Sequence, residues 1–103
     1  MNDSVAIVTG ASQGIGRSTA IRLARDFSAV VLTARNVAEL EEVAVAVKDA
    51  GAEPLPLSLD LSRKEAPETV VGRTLERFGR IDALLNIAGA VPQIDLFEMT
   101  DDQ

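Results

Sequence analysis

Four short apolar runs alternate with longer amphipathic stretches along the chain, and this alternation limits the possible folds more than any other feature. The runs are bounded by Gly, Pro, Asn or Asp and cover residues 5–8, 29–32, 55–59 and 81–87. They are apolar at successive positions rather than at every second one. This pattern is typical of strands that are buried on both faces of a sheet.

The stretches between these runs carry apolar side chains at helical spacing. They predict three helices, over residues 14–27, 36–50 and 62–78. The side chains expected to face the core are Ile15, Ala20, Leu23, Ala24 and Phe27, then Val37, Leu40, Ala44 and Val47, and lastly Val71, Leu75 and Phe78. Ser62 followed by Glu65 matches a capping box at the start of the third helix.

The predicted elements follow the order strand–helix–strand–helix–strand–helix–strand. Such alternation favours parallel strands joined by right-handed crossovers, and therefore an α/β protein with a doubly wound parallel sheet of the Rossmann type. A chain of 103 residues has room for one core. We expect a single domain over residues 1–103 with a partial sheet in the strand order 3-2-1-4, and residues 96–103 resemble the opening of a fourth helix.

Charge and composition exclude several classes of function. Sixteen acidic and ten basic residues give a net charge of −6, and the basic residues form no cluster, so nucleic acid is not an expected partner. The chain contains no Cys and no His, and we therefore expect no disulfide and no metal site. No apolar run is long enough to cross a bilayer and no secretory signal is recognisable, so we expect a cytoplasmic protein without a membrane partner.

The strongest local signal is the segment Thr-Gly-Ala-Ser-Gln-Gly-Ile-Gly at residues 9–16, between a predicted strand and a predicted helix. A sharp turn that lets a pyrophosphate approach requires residues without a β-carbon at Gly10 and Gly14, and Gly16 allows the helix and the strand to pack closely. The amino terminus of the helix would direct its N–H groups at the phosphates. The segment predicts a dinucleotide site, although a tight loop without a ligand would carry the same glycines.

The spacing of this turn, Thr-Gly followed by three residues and Gly-Ile-Gly, resembles that of the short-chain dehydrogenases/reductases. Asp60-Leu61 after the third strand is similar to the adenine-contacting pair of that family, and residues 86–89, Asn-Ile-Ala-Gly, resemble its Asn-Asn-Ala-Gly motif with Ile87 in place of the second Asn. The resemblance covers essentially the whole chain. It implies an oxidoreductase that transfers a hydride between a nicotinamide cofactor and a carbonyl or alcohol substrate.

The topology and the resemblance together predict a cofactor site in the crevice between the first and fourth strands, at their carboxyl ends. The predicted cofactor-binding residues are Gly10, Ser12, Gln13, Gly14, Ile15, Gly16, Arg35, Asp60, Leu61, Asn86, Ala88 and Gly89. Two of them have a second interpretation. Asn86 could tie the fourth strand to the turn near Thr9, as its counterpart does in the family, and Asp60 could cap the third helix.

Arg35 bears on the choice of cofactor. Dinucleotide folds that select NAD carry an acidic residue at the end of the second strand, where this chain has Arg35. A carboxylate there would repel the extra phosphate of NADP, whereas a guanidinium can accept it in a bidentate manner. We therefore expect NADP(H) to be preferred over NAD(H). A solvated arginine is the alternative, and Gln13 stands where NADP-preferring members often have a second basic residue.

The catalytic residues of the resembled family, a Ser, a Tyr, a Lys and an Asn, lie beyond the Asn-Ala-Gly motif, and none can be assigned here. The chain contains no Tyr, so we expect it to end before the catalytic half and to be inactive alone. A stand-alone, non-catalytic dinucleotide-binding or sensing module is the alternative. A flavodoxin-like domain is a third interpretation, but it would give no reason for Arg35 or Asp60.

Self-association is expected if the sheet stops at its fourth strand. Residues 81–87 would then form an edge strand with no Lys or Pro and with Asp82 as its single charge. Such an edge lacks the usual features that prevent a second strand from pairing with it.

Overall fold

The structure is a computed structural model that describes residues 3–11 and 14–87. The elements within these ranges are β1 (Val5–Thr9), α1 (Gly14–Leu23), β2 (Ala29–Ala34), α2 (Val37–Asp49), β3 (Glu53–Ser58), α3 (Ala66–Phe78) and β4 (Ala83–Asn86). Four predicted site residues fall outside these ranges, namely Ser12, Gln13, Ala88 and Gly89. The fourth helix predicted at residues 96–103 also lies outside them.

The four strands form one parallel sheet in the order β3-β2-β1-β4. This confirms the predicted order and the fold class, a partial Rossmann fold. Every residue of β1 and of β2 is buried, which explains why their sequences are apolar without alternation. In the outer strands β3 and β4 Leu57 is the one buried residue, so the prediction of burial on both faces is wrong for these two strands.

The two faces of the sheet carry separate cores. On one face, Val8 and Leu32 pack with residues of α1 and α2 such as Ala20 and Val43. On the other face lies α3, which contributes Val70 to a core with Val5, Ile7, Ala29, Val31 and Leu57. Each fully buried Val, Leu or Ile contributes about 1.5–3 kcal/mol, so the buried side chains of the two central strands help to stabilise the framework that holds the site.

Two side chains predicted to face the core through α1 and α2 do not. Ile15 is 74% exposed and Val37 is 53% exposed. Both belong to the first turn of their helix, beyond the carboxyl edge of the sheet, where the strands no longer offer a surface to cover. In addition, α1 ends at Leu23, four residues earlier than predicted, because residues 24–26 form a turn.

The third helix begins later than predicted, at Ala66 and not at Ser62, and a different face of it is buried. Its buried residues are Ala66, Val70 and Thr74, whereas Val71 and Leu75 are 40% and 45% exposed. The apolar residues occupy two neighbouring stripes of α3, and the stripe with the smaller side chains faces the sheet. The predicted capping box is also wrong, since the residue at the N-cap is Glu65 and its side chain caps no N–H group.

Candidate functional site

The glycine turn after β1 is anchored to the neighbouring strand. The N–H groups of Gly10 and Ala11 both donate to the carbonyl oxygen of Thr33 in β2, at 2.9 and 3.0 Å. Gly10 and Gly14 have φ angles of +70° and +55°, in the left-handed region that favours glycine. The turn therefore needs glycine at these two positions for its backbone path.

Gly16 is required for a different reason: α1 lies so close to the turn that there is no room for a side chain at this position. A β-carbon added there would collide with the carbonyl oxygen of Gly10 and would lie 2.8 Å from its carbonyl carbon and 3.2 Å from the Cα atom of Ala11. At Gly14, by contrast, an added β-carbon meets nothing within 4 Å. The close approach of helix and turn is the one that the sequence predicts for Gly16.

Asn86, at the end of β4, is tied to the end of β1. The Thr9 hydroxyl donates to Asn86 Oδ1 at 2.8 Å and accepts the backbone N–H of Ile87 at 3.0 Å. These bonds give Asn86 the scaffolding role that was one of its two interpretations. Its amide nitrogen makes no hydrogen bond within the described residues, so a cofactor contact through that group stays a prediction.

Arg35 lies between the end of β2 and the start of α2. Its carbonyl oxygen accepts a hydrogen bond from Ser58 Oγ at 3.1 Å. The next residue, Asn36, caps α2 by accepting the N–H of Glu39 at 2.9 Å. The exposed guanidinium of Arg35 has no hydrogen-bond or ion-pair partner among the described residues. The positive charge is therefore available to an anionic ligand.

Asp60 follows β3 and is held in a turn of its own. Its Oδ1 atom accepts the hydroxyl of Ser62 at 2.7 Å and the N–H of Ser62 at 3.0 Å. These bonds lower the pKa of Asp60, and the positive charges of Arg35 and Arg63 lower it further. Because α3 begins only at Ala66, the interpretation of Asp60 as the cap of that helix is wrong.

Parallel strand directions bring these groups to one edge of the sheet. The turn of Gly10, Arg35, Asp60 and Asn86 each lie at the carboxyl end of a different strand. The N–H groups in the first turn of α1, which a helix leaves without partners of its own, and a cation at Arg35 make this edge suited to phosphate groups. The arrangement can hold an extended, phosphorylated ligand across the strand ends.

Two contributors to the site were missed by the sequence reasoning. Thr33 accepts both N–H groups of the turn, and its fully buried hydroxyl has no hydrogen-bond partner among the described residues. Ser58 fixes the backbone of Arg35. Both contacts depend on which residues face each other in neighbouring strands. The one available signal was a polar residue beside or inside an apolar run, since Thr33 follows the second run and Ser58 interrupts the third.

Metal-binding and membrane-spanning features are absent from the described part of the chain. No group of three or more Asp, Glu, His or Cys side chains within residues 3–11 and 14–87 is arranged to hold a metal ion. None of the three described helices has the length and apolar character needed to cross a bilayer.

Comparison with known proteins assigns the family. The family model described as short chain dehydrogenase matches residues 4–103. An uncharacterized oxidoreductase of Listeria innocua is 35% identical over 103 residues, which are 100% of this chain and 42% of that protein. A metagenomic short-chain oxidoreductase solved in complex with NADP has a TM-score of 0.80 at 40% identity, over 86% of this chain and 40% of that one. A xylitol dehydrogenase solved with bound NAD+ has a TM-score of 0.80 at 37% identity, over 86% and 34% of the two chains.

The chain spans less than half the length of these relatives. The family match covers the glycine turn and the ends of all four strands, and it confirms the resemblance found in the motifs. The chain therefore belongs to the short chain dehydrogenase family.

Proposed function

We propose that this chain is the NADP(H)-binding part of an oxidoreductase that transfers a hydride between a nicotinamide cofactor and a carbonyl or alcohol substrate. Family membership supports the reaction class, and the single parallel sheet supports one dinucleotide-binding domain over residues 1–103. The observation that carries the proposal is Arg35, an exposed guanidinium without a partner in the described residues, at the end of the strand next to the glycine turn.

Each strand end would bind a different part of the cofactor. The glycine turn and the first turn of α1 would hold the pyrophosphate through backbone N–H groups. Arg35 would bind the 2′-phosphate, Asp60 the adenine and Asn86 the central part of the cofactor. The remaining proposed contacts are Ser12, Gln13, Ile15, Leu61, Ala88 and Gly89. When bound, the nicotinamide would accept or donate the hydride.

The preference for NADP(H) is argued from charge. One similar structure contains NADP and another contains NAD+, so the family framework accommodates both cofactors. At the end of β2 this chain offers a guanidinium and no carboxylate. The 2′-phosphate of NADP would gain charge-assisted hydrogen bonds from Arg35, whereas NAD, which lacks that phosphate, would not.

Calorimetric titration with NADP+ and NAD+ tests this assignment. We expect Arg35→Asp to weaken NADP+ binding by about tenfold to a hundredfold, the loss typical of a charged hydrogen bond, and to leave NAD+ bound as well or better. Arg73→Asp is the matched control, because Arg73 is an exposed residue of α3 whose ion-pair partner is Glu76. NAD+ binding equal to or tighter than NADP+ binding by the unaltered chain would rule out the assignment of Arg35.

We propose that the chain binds the cofactor without turning over a substrate. Its titratable side chains are carboxylates, Lys and Arg, with no Tyr, His or Cys to relay a proton near neutral pH. Consumption of NADPH with a panel of ketones, followed by absorbance and dependent on the protein, would contradict this part of the proposal.

We also propose that the chain self-associates through β4. The two outer strands of the sheet differ: β3 contains Pro54 and Pro56, and β4 contains no proline. The N–H groups of Glu53 and Leu59 donate to β2, so the alternate positions, where both prolines stand, face away from β2. The β3 edge thus lacks two donors that a further strand would need, while Ala83–Asn86 offers its donors to a second copy.

A further inference from the structure

The backbone of Arg35 is fixed on both sides. On its amino-terminal side, the carbonyl oxygen of Ala34 accepts the N–H of Leu59 at 3.0 Å, as the last link between β2 and β3. On its carboxyl-terminal side, Asn36 caps α2. Arg35 and Asn36 are the two residues between strand and helix, so the path of the peptide group that joins them sets where the Arg35 side chain starts.

Ser58 provides the hydrogen bond to that peptide group. It is the last residue of β3 and lies beside Ala34 in the strand register. The backbone N–H of Ser58 faces away from β2, so its side chain, and not its backbone, connects it to the chain that follows β2. The hydroxyl donates to the carbonyl oxygen of Arg35 at 3.1 Å. Ser58 is exposed, so this bond can be removed without opening a cavity in the core.

The carboxylate of Asp60 does not capture the guanidinium of Arg35. The charge of Arg35 contributes to the ionisation of Asp60, yet no ion pair joins the two side chains in the described residues. Ser62 holds Oδ1 of Asp60 through two hydrogen bonds. Arg35 thus combines a fixed backbone with an exposed head group that has no partner within residues 3–11 and 14–87.

We propose that Ser58 is a positioning residue for cofactor choice, whose hydroxyl holds the Arg35 peptide so that the guanidinium meets the 2′-phosphate of NADP(H). The inference rests on the proposed function of Arg35. A long side chain loses more conformational entropy on binding when its backbone is also free to move. This entropic cost weakens the binding of NADP(H), because NADP(H) is the cofactor that contacts the guanidinium. NAD(H) lacks the 2′-phosphate, so its affinity should not depend on where Arg35 lies.

The ratio of the dissociation constants for NAD+ and NADP+ measures this role. Ser58→Ala should weaken NADP+ binding by about fivefold, the factor that corresponds to one ordinary hydrogen bond, and should leave NAD+ binding unchanged within about a factor of two. Ser58→Thr keeps a hydroxyl at the same position and should restore the ratio.

A double-mutant cycle separates this inference from the proposed function. If Arg35→Ala abolishes the preference for NADP+, then Ser58→Ala added to Arg35→Ala should cause no further change in the ratio. An unchanged ratio in Arg35→Ala overturns the proposed role of Arg35 itself. The role of Ser58 is overturned if Arg35→Ala abolishes the preference while Ser58→Ala leaves it intact, or if Ser58→Ala weakens both cofactors equally. Thermal unfolding of each variant confirms that the compared proteins are folded.

Discussion

At the scale of single residues, the site depends on where the chain lacks a side chain. Gly16 lets α1 approach the carbonyl group of Gly10, and Gly10 in turn donates its N–H to Thr33 at 2.9 Å. These contacts connect the start of α1, the end of β1 and the end of β2. One methyl group at Gly16 would disturb all three elements, because the atoms in its way belong to the backbone and not to a flexible side chain.

Gly16→Ala is therefore expected to lower the free energy of unfolding by about 1–3 kcal/mol, as overpacking usually does. It should also weaken cofactor binding, since the turn must shift. Gly72→Ala is the matched control. It is the same change in α3, where an added β-carbon meets nothing within 4 Å, and it should raise the free energy of unfolding by about 0.5–1 kcal/mol through helix propensity.

Urea denaturation of the two variants provides the measurement. The two Gly→Ala substitutions should change the free energy of unfolding in opposite directions. A Gly16→Ala protein as stable as the parent chain would mean that helix and turn do not pack as closely as described.

At the scale of elements, β4 is held beside β1 by links at both of its ends. At the amino end, Asp82 Oδ2 accepts the N–H of Val5 at 2.8 Å, and the guanidinium of Arg80 donates to both carboxylate oxygens at 2.8 and 2.9 Å. At the carboxyl end, Thr9 is bonded to Asn86. The first link lies at the opposite edge of the sheet from the site, so it can be tested without touching the cofactor residues.

The Asp82 link gives stability a defined pH dependence. Hydrogen bonds from Arg80 and from the N–H of Val5 lower the pKa of Asp82. A carboxyl group whose pKa is lower in the folded chain stabilises it above the unfolded value of about 3.9, and the contribution is lost as the pH falls through the folded value. The stabilisation by Asp82 should thus be complete at neutral pH and should disappear in acid below about pH 4.

Asp82→Asn is expected to reduce the free energy of unfolding at pH 7 by about 1–2 kcal/mol, because it removes a charged acceptor of three hydrogen bonds. The difference from the parent chain should shrink as the pH is lowered below about 4. Asp49→Asn, at the carboxyl end of α2, removes a carboxylate without such bonds and should cause no loss. Chemical denaturation at pH 7 and below about pH 4 checks this prediction. A difference in the free energy of unfolding that stays constant with pH would contradict it.

The elements also show how far sequence reasoning reaches. The two central strands were predictable because β1 and β2 are buried on both faces and therefore apolar throughout. The face of α3 was not, since Val70 and Val71 both fit a helical stripe and only the position of the sheet distinguishes them. The contacts of Thr33 and Ser58 arise from strand register, which the order of elements does not contain.

At the scale of the whole molecule, the two edges of the sheet differ in whether a further strand can pair with them: β4 can accept one and β3 cannot. The N–H of Asp82 donates to β1, so the N–H of Ala83 faces away from it. Ala83→Pro would remove that outward donor and give β4 the protection that Pro54 and Pro56 give β3. We expect the parent chain to self-associate at micromolar concentration, Ala83→Pro to shift it towards monomer, and Ala83→Ser, which keeps the N–H, to behave as the parent.

Size-exclusion chromatography with light scattering distinguishes these states. A parent chain that stays a monomer of 10.9 kDa would refute association through β4. Association that is equally strong in Ala83→Pro would place the contact on another surface.

The central claim is that one edge of the sheet, formed by the carboxyl ends of four parallel strands, binds a phosphorylated dinucleotide. The most direct measurement is a titration of the ¹⁵N-labelled chain with NADP+, followed by the backbone amide signals. The account predicts the largest shifts at Gly10, Gly14, Arg35 and Asp60, with little change at the opposite edge around Asp82. Shifts centred on that opposite edge, or no saturable shifts at all, would contradict it.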